Sequence, residues 1–446
     1  DLHSFPTRRS SDLDQTIDLM SRFRRIPPPG VYSPPIEGIA YYLFPDAADP
    51  ADGFWAPSPL TEPPPALAWL CSQQQKYPDG RRPHIRLLIA GTRAALTDGK
   101  TIIASDGALA FSLAGRLCAG RSHWFVATSV DSFRRALEDP VGSPILPAAV
   151  AVAKTPSAAL AARDDAVLRL ADRIIVVSIR KNSRWLSRLS RIPSERVRII
   201  PPERVGDGDV DVRGNAELLD AGGRVWDARL DMPPDVALDV DAFDNEASGA
   251  ILSRPPDGDF LFHHTSGSSA AWPNETKADQ LDRIIAGGDS SRCDGYGALR
   301  NILLTQTIFP GNGGLLPGAR AVCFTTLRFN ESRRLFRFDR ARGRHLFAPY
   351  AIAIRRDRLS EIVRPVIYGD RSAQSVIPKP ERYRFQQLNR ISDSGDDYRA
   401  ESEWRSPTAI DLSALGSDDA YLIAGSRLDA LSLSRQSRWP TVSALE

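Results

Sequence analysis

Residues 163–180 read RDDAVLRLADRIIVVSIR, and the fold of the first half turns on them. Arg163 to Asp172 places Ala166, Val167 and Leu170 at helical spacing, and Arg173 to Ile179 is then a run of β-branched residues. An amphipathic helix feeding a continuously apolar strand is the repeating unit of a parallel sheet buried on both faces. The alternation recurs on both sides. Thr101 to Ala104 (TIIA) leads into a helical Ala108 to Cys118, and Trp124 to Ala127 precedes a helical Val130 to Leu137. Ala148 to Ala153 is a further strand, and Trp185 to Ile192 with Val197 to Ile200 repeats helix then strand before Pro201-Pro202 stops the pattern. Ile85 to Ala90 (IRLLIA) reads as one more strand, ending at Gly91-Thr92. Residues 81–205 are therefore expected to form a Rossmann-like α/β domain with a mostly parallel sheet.

In such sheets ligands sit beyond the carboxyl ends of the strands. The strand ends expected here carry Gly91-Thr92, Ser105-Asp106-Gly107, Thr128, Lys154-Thr155 and Ser178. Small and hydroxyl-bearing residues let backbone N–H groups approach phosphate oxygens, so a nucleotide-type small molecule is the expected ligand. Gly91, Thr92, Ser105, Asp106, Gly107 and Lys154 are its candidate residues. Neither GxGxxG nor GxxxxGK[ST] is present, and ordinary turns and caps demand the same residue types. The run from Arg163 to Arg180 resembles Rossmann-like nucleotide-sensor domains related to the LOG and DprA families. There an acidic helix leads through an Ala-Asp pair, here Ala171-Asp172, into the last core strands. The glycine-rich phosphate motif of those families is missing, so the resemblance implies the fold more than the ligand.

The chain has 446 residues, enough for two domains. Lys+Arg 57 against Asp+Glu 55 leaves a net charge of +2, with no global field favouring nucleic acid or an anionic membrane. Cys71, Cys118, Cys293 and Cys323 are isolated, with neither disulfide nor zinc-ligand spacing. No apolar run approaches the roughly 18 residues of a membrane span, so the cytoplasm is the expected location.

His3 to Leu13 (HSFPTRRSSDL) resembles a translated sequencing adapter, and residues 1–13 are set aside from the fold on that ground. Residues 14–80, crowded with prolines between Ile26 and Pro65, read as an extended arm packed down by Tyr41, Tyr42, Phe44, Phe54 and Trp55. Residues 206–256 turn Asp- and Gly-rich and read as a connection with a hairpin near Gly222-Gly223.

Residues 257–446 are expected to be an α+β domain. It opens with Phe260 to Gly267 (FLFHHTSG), followed by helices over Lys277 to Ala286 and Ala298 to Thr305 and a glycine-rich loop over Gly311 to Gly318. The strands Ala321 to Thr325, Tyr350 to Ile354 and Pro365 to Tyr368 follow, and Tyr398 to Arg405 (YRAESEWR) comes late. The order RNIL, CFTT, APYAIAIRRDRL, RPVIYGD, ESEWR and IDLSAL resembles bacterial abortive-phage-resistance proteins of the AbiGi type over most of Leu261 to Leu445. That resemblance implies phage defence or toxin–antitoxin biology without fixing a reaction.

The same order is similar to that of mono-ADP-ribosyltransferases, which hold NAD with an early His or Arg and a mid-chain hydroxyl and act with a late Glu, often as E-x-E. His264, Thr265 and Thr325 would bind NAD, Glu403 would stabilise the oxocarbenium-like centre, and Glu401 would select the acceptor. In a strand the two glutamates would share a face. Flanked by Arg399 and Arg405, they also fit a plain ion-pair ladder. Two rivals accompany the transferase. One is a non-catalytic antitoxin or module for a protein partner; the other is an RNA-binding effector using the basic, Phe-interleaved stretch Arg328 to Arg344.

Overall fold

The computed structural model describes residues 54–55, 65–72, 77–119, 121, 123–128, 145–151, 156–205, 210–226, 249–311, 319–333, 336, 338–339, 344–345, 347–370, 372–387 and 398–444. Residues 1–13, most of the proline-rich arm, Val130 to Leu137, Lys154 and the glycine-rich loop beyond Gly311 lie outside these. The chain divides into two compact units, Asp1–Gln75 with Arg82–Pro234, and Lys76–Arg81 with Asp235–Glu446.

The first unit is built on an eight-stranded sheet. Its strands are β1 (Phe54–Trp55), β2 (Ala66–Cys71), β3 (Thr101–Ser105), β4 (His123–Ala127), β5 (Ile145–Ala151), β6 (Arg173–Ser178), β7 (Val197–Ile199) and β8 (Arg224–Val225). The spatial order is β1-β5-β4-β3-β2-β6-β7-β8. Every pairing is parallel except that of β1 with β5. Helices α1 (Pro83–Thr97), α2 (Leu109–Leu117), α3 (Pro156–Leu170), α4 (Arg184–Leu189) and α5 (Arg213–Asp220) connect them. The Rossmann-like, mostly parallel sheet expected from the sequence is present.

Both faces of β2 are covered, which is why it reads as uninterrupted apolar sequence. Ala66, Ala68 and Leu70 join Val167, Leu168 and Ala171 of the α3 region in one core cluster. Trp69 alternates to the other face. There it meets α1 so closely that a Cβ on Gly91 would come within 2.0 Å of the Trp69 ring.

The first unit departs from the expected elements in several places. Ile85 to Ala90 is not a strand but the middle of α1, whose first residue is Pro83. Gly91 and Thr92 therefore lie inside a helix, buried, and form no strand end. The central strand β2 falls within residues assigned to the arm, and α5 and β8 fall within the expected connection. Near Gly222, which has φ +89°, the chain turns from α5 into β8, and β8 pairs parallel with β7 rather than forming a hairpin.

The second unit is α+β. Its main sheet holds β9 (Ile251–Leu252), β10 (Phe260–His264), β11 (Val322–Thr325), β12 (Ala351–Arg355), β13 (Arg364–Pro365), β14 (Glu403–Ser406), β15 (Ala420–Ala424) and β16 (Thr441–Ser443). The order is β13-β14-β11-β10-β12-β15-β16-β9, antiparallel except where β16 joins β15 and β9. Helices α6 (Lys277–Ala286), α7 (Gly295–Thr305) and α8 (Arg427–Ser434) belong to this unit. Alternation sorts the core: Leu261, Phe324, Ile352 and Leu422 cluster with Tyr296 and Leu299 of α7 and Leu433 of α8. The opposite face gathers Phe260, Phe262, Tyr421 and Ile423 with Phe329. Among the described residues no helix is long and apolar enough to cross a membrane.

Candidate functional site

Connections from β2 lead through β3 and β4 to one side of the sheet, while β6, β7 and β8 extend it on the other, so the strand order reverses between β2 and β6. A crevice opens at such a reversal because the two flanking connections leave in opposite directions. The pairing itself slips there: Leu70 faces Val176 but Cys71 faces Ser178, a bulge that re-aims the ends of both strands. Beyond it the Ser72 amide donates to the Ser178 carbonyl at 2.7 Å, Cys71 Sγ lies 2.8 Å from Ser178 Oγ, and Ser72 Oγ is 3.5 Å from Ser183 Oγ. The edge is thus lined by three hydroxyls and a thiol. Burial pushes the Cys71 thiol up to about 11, with the Ser178 hydroxyl only partly opposing, so the sulfur is a neutral wall rather than a nucleophile.

The segment leaving β6 carries charge. Arg180 and Lys181 are exposed, Asn182 takes a left-handed φ of 59°, and Ser183 caps α4 by accepting from the Trp185 amide at 3.3 Å. Lys181 is 3.6 Å from Glu217, whereas Arg180 makes no ion pair among the described residues. Asn215 fixes the end of β6 from beneath. Its Oδ1 accepts from the Ile179 amide at 2.7 Å, and its Nδ2 donates to the Val177 and Ile200 carbonyls at 3.0 and 2.9 Å. Sequence reasoning missed Asn215 because it sits in the stretch read as a connection. The available signal was the Gly214-Asn215 pair, since a Cβ on Gly214 would lie 2.6 Å from the Ile179 carbonyl.

The β3 end holds a second set of polar groups. Ser105 Oγ donates to the Val126 carbonyl at 2.5 Å, and Asp106 accepts from the amide and hydroxyl of Thr128 at 3.0 and 2.6 Å. Arg163 Nη1 donates to the Asp106 carbonyl at 2.7 Å. Gly107, at φ +75°, turns the chain where a Cβ would lie 3.3 Å from that guanidinium. Ser105, Asp106 and Gly107 therefore lie at the carboxyl end of β3.

In the second unit the three segments proposed to meet do lie in adjacent strands, with Phe262 opposite Thr325 and Thr325 opposite Glu403. Their polar atoms, however, are engaged. Glu401 lies in a 3₁₀ turn and Ser402 takes φ +47°, so the two glutamates do not share a strand face. The Glu403 carboxylate is gripped by Arg405 at 2.9 and 2.8 Å. Thr325 Oγ1 donates to the Glu401 carbonyl at 2.5 Å, and Thr265 Oγ1 to the Gly295 carbonyl at 2.6 Å.

His264 stacks on Phe347 with ring centroids 4.5 Å apart and meets Phe336 edge-on. Both ring nitrogens are shut from solvent and, among the described residues, have no hydrogen bond of good geometry. Burial pushes its pKa from the ordinary 6.5 down to about 3, with the Ala348 backbone opposing weakly. His263, which bonds the Cys323 carbonyl at 2.8 Å, is also lowered by burial.

A folded pKa below the unfolded value means that the unfolded chain binds the extra proton, so stability is retained above the unfolded value and falls as pH drops below it. Acidifying from about pH 7 to about pH 5 should cost about 2 kcal/mol through His264. Urea titrations at several pH values should show this slope reduced in His264→Phe, which keeps the stack. An unchanged slope would remove His264 as the source.

No family model and no curated protein matches the chain. Two solved structures share a distant structural similarity. DNA processing protein A from Helicobacter pylori, a protein with a single-stranded DNA binding mode, is 15% identical with a TM-score of 0.31, over 42% of this chain and 90% of that one. DNA processing protein A from Streptococcus pneumoniae is 19% identical with a TM-score of 0.25, over 36% and 58%.

Proposed function

We propose that the first unit binds a nucleotide-type anion at the carboxyl edge of its sheet, between β2 and β6. The observation that supports this reading most is the strand-order reversal, whose edge carries half-buried Ser183 and exposed Arg180 and Lys181 above the buried Ser72 and Ser178. Hydroxyls and backbone amides suit phosphate or ribose oxygens, and the two cations suit the negative charge. For the second unit we propose a partner-binding role in phage defence rather than NAD-dependent transfer. What weighs against transfer is chemical: Glu403 is paired with Arg405, and the hydroxyls of Thr265 and Thr325 donate to backbone carbonyls.

Calorimetry of the full chain against mono-, di- and trinucleotides and NAD tests the first reading. Arg180→Glu, an exposed change, is expected to weaken the best ligand by about tenfold or more, equivalent to about 1.4 kcal/mol. Failure of every nucleotide to bind, or binding indifferent to Arg180, overturns it. In the same samples no nicotinamide should be released from NAD; release that disappears in Glu403→Gln would restore the transferase.

A further inference from the structure

The sheet order places β2 between β3 and β6, and one carboxylate, Asp164 of α3, is linked to the carboxyl ends of both neighbours. Its link to β3 runs through Arg163, whose Nη1 donates to the Asp106 carbonyl at 2.7 Å. Its link to β6 runs through Arg184, which follows Ser183 in the chain leaving that strand. Ser183 Oγ in turn stands 3.5 Å from Ser72 Oγ, just beyond β2. The reversal in strand order is therefore spanned by a chain of contacts centred on Asp164.

The three guanidiniums around Asp164 share it unequally. Arg163 grips Oδ1 with two donors, Nε at 3.0 Å and Nη2 at 2.6 Å, and its side chain is 4% exposed. Arg188 has Asp165 at 3.2 Å, donates to the Ala161 carbonyl at 3.1 Å and stands 3.7 Å from Oδ2. Arg184 is left with Oδ2 alone. Its Nη2 lies at 2.7 Å, yet among the described residues Oδ2 accepts no hydrogen bond of good geometry. Charge holds this pair without an aligned bond, and the Arg184 side chain is 46% exposed. A guanidinium carries five N–H donors in a planar fork, and a phosphate offers the matching pair of oxygens. Arg184 can thus turn its fork to a phosphate while Asp164 keeps hold of one side of it.

We infer that Arg184 is the phosphate anchor of the β2–β6 edge and that Asp164 is the positioning residue that holds it there. The ligand is then selected by its phosphate groups more than by base or sugar, and a diphosphate gains over a bare nucleoside chiefly through Arg184. A bidentate guanidinium–phosphate grip is both stronger and more directional than a contact to a lysine. The inference rests on the reading of this edge as an anion site, and it names the group that grips the anion.

Calorimetry of the full chain against adenosine and guanosine, their mono- and diphosphates, and inorganic pyrophosphate tests it. The ratio of diphosphate to nucleoside affinity is the readout, because a purely structural role for Arg184 would weaken all ligands alike and leave that ratio unmoved. Arg184→Gln is expected to cut the ratio by about tenfold or more. Arg184→Lys, which keeps the charge and loses the fork, should fall between, and it carries the test should the glutamine variant fold poorly. Arg198→Gln removes the same charge on the opposite edge, where Arg198 Nη1 donates to the Glu195 carbonyl at 2.9 Å before β7, and should leave the ratio unchanged. Nucleotides that bind with the same ratio in Arg184→Gln overturn the anchor and spare the nucleotide reading. So does an equal fall in Arg198→Gln, which would make the effect one of net charge. Pyrophosphate that binds the native chain and is lost in Arg184→Gln, with no nucleotide bound, keeps the anchor and removes the nucleotide. Binding of neither removes both.

Discussion

Arg405→Met is expected to cost the second unit about 3–5 kcal/mol, the range for breaking a buried ion pair from one side. Arg405 is 2% exposed, and all five of its N–H groups have acceptors. Nε and Nη2 hold the Glu403 carboxylate at 2.9 and 2.8 Å, Nη1 reaches the Tyr383 and Phe385 carbonyls at 3.1 and 3.0 Å, and Nη2 also bonds Gln386 Oε1 at 2.7 Å. The side chain therefore ties residues 383–386 onto β14, and methionine removes the guanidinium donors from a carboxylate and two backbone carbonyls. Lysine keeps the charge but offers a point donor instead of a planar fork, so Arg405→Lys should fall between. In the double variant Arg405→Met/Glu403→Leu part of the loss should return, because the stranded charge is gone. Denaturant unfolding of the three variants decides it. A loss below about 1 kcal/mol for Arg405→Met would mean that the fork contributes no more than a surface pair.

That engagement explains why the sequence misleads at Glu401-Ser402-Glu403. Alternation predicts a shared face only while the chain stays extended, and the positive φ of Ser402 ends the alternation between the two carboxylates. Nothing local in YRAESEWR announces it, because a left-handed serine is set by the tertiary setting. The strands β3, β4, β6 and β7 were legible because both faces are buried and the runs TIIA, WFVA, RIIVVS and VRI show it directly. Ile85 to Ala90 failed on the same criterion: a short apolar run in a buried helix looks like a buried strand. Pro83 at the first helical turn was the signal that separates them. β2 was hidden by the prolines at 63–65 that precede it, although ALAWLC is itself a plain apolar strand. At the candidate edge, residue types were readable at Ser105, Asp106, Gly107 and Ser178. The pairing of Ser72 with Ser178 was not, since it joins residues 106 apart in the chain.

The first unit offers the second large effect, at Asp164. Its side chain is fully buried, with Arg163 Nη2 at 2.6 Å, Arg184 Nη2 at 2.7 Å and Arg188 Nη1 at 3.7 Å. Burial pushes the carboxyl above its ordinary range, and the guanidiniums of Arg163, Arg184 and Arg188 pull against that. Arg163 is itself 4% exposed, lies over the Phe111 ring at 5.2 Å and donates to the Asp106 carbonyl. Removing the charge at 164 leaves that guanidinium buried without its counter-ion, so Asp164→Asn should cost about 3 kcal/mol or more even though size and one acceptor are kept. Asp165 gives the control. It is half exposed and among the described residues pairs with Arg188 alone, at 3.2 Å, so Asp165→Asn should change stability by less than about 0.5 kcal/mol. The two substitutions are adjacent and chemically identical, so unfolding curves that differ this widely locate the effect in burial rather than in net charge. Equal curves would show that Arg163 finds another partner. If the edge of β3 contributes to the site, nucleotide affinity should fall in Asp164→Asn while the protein is still folded, because Arg163 then no longer holds the Asp106 carbonyl in place.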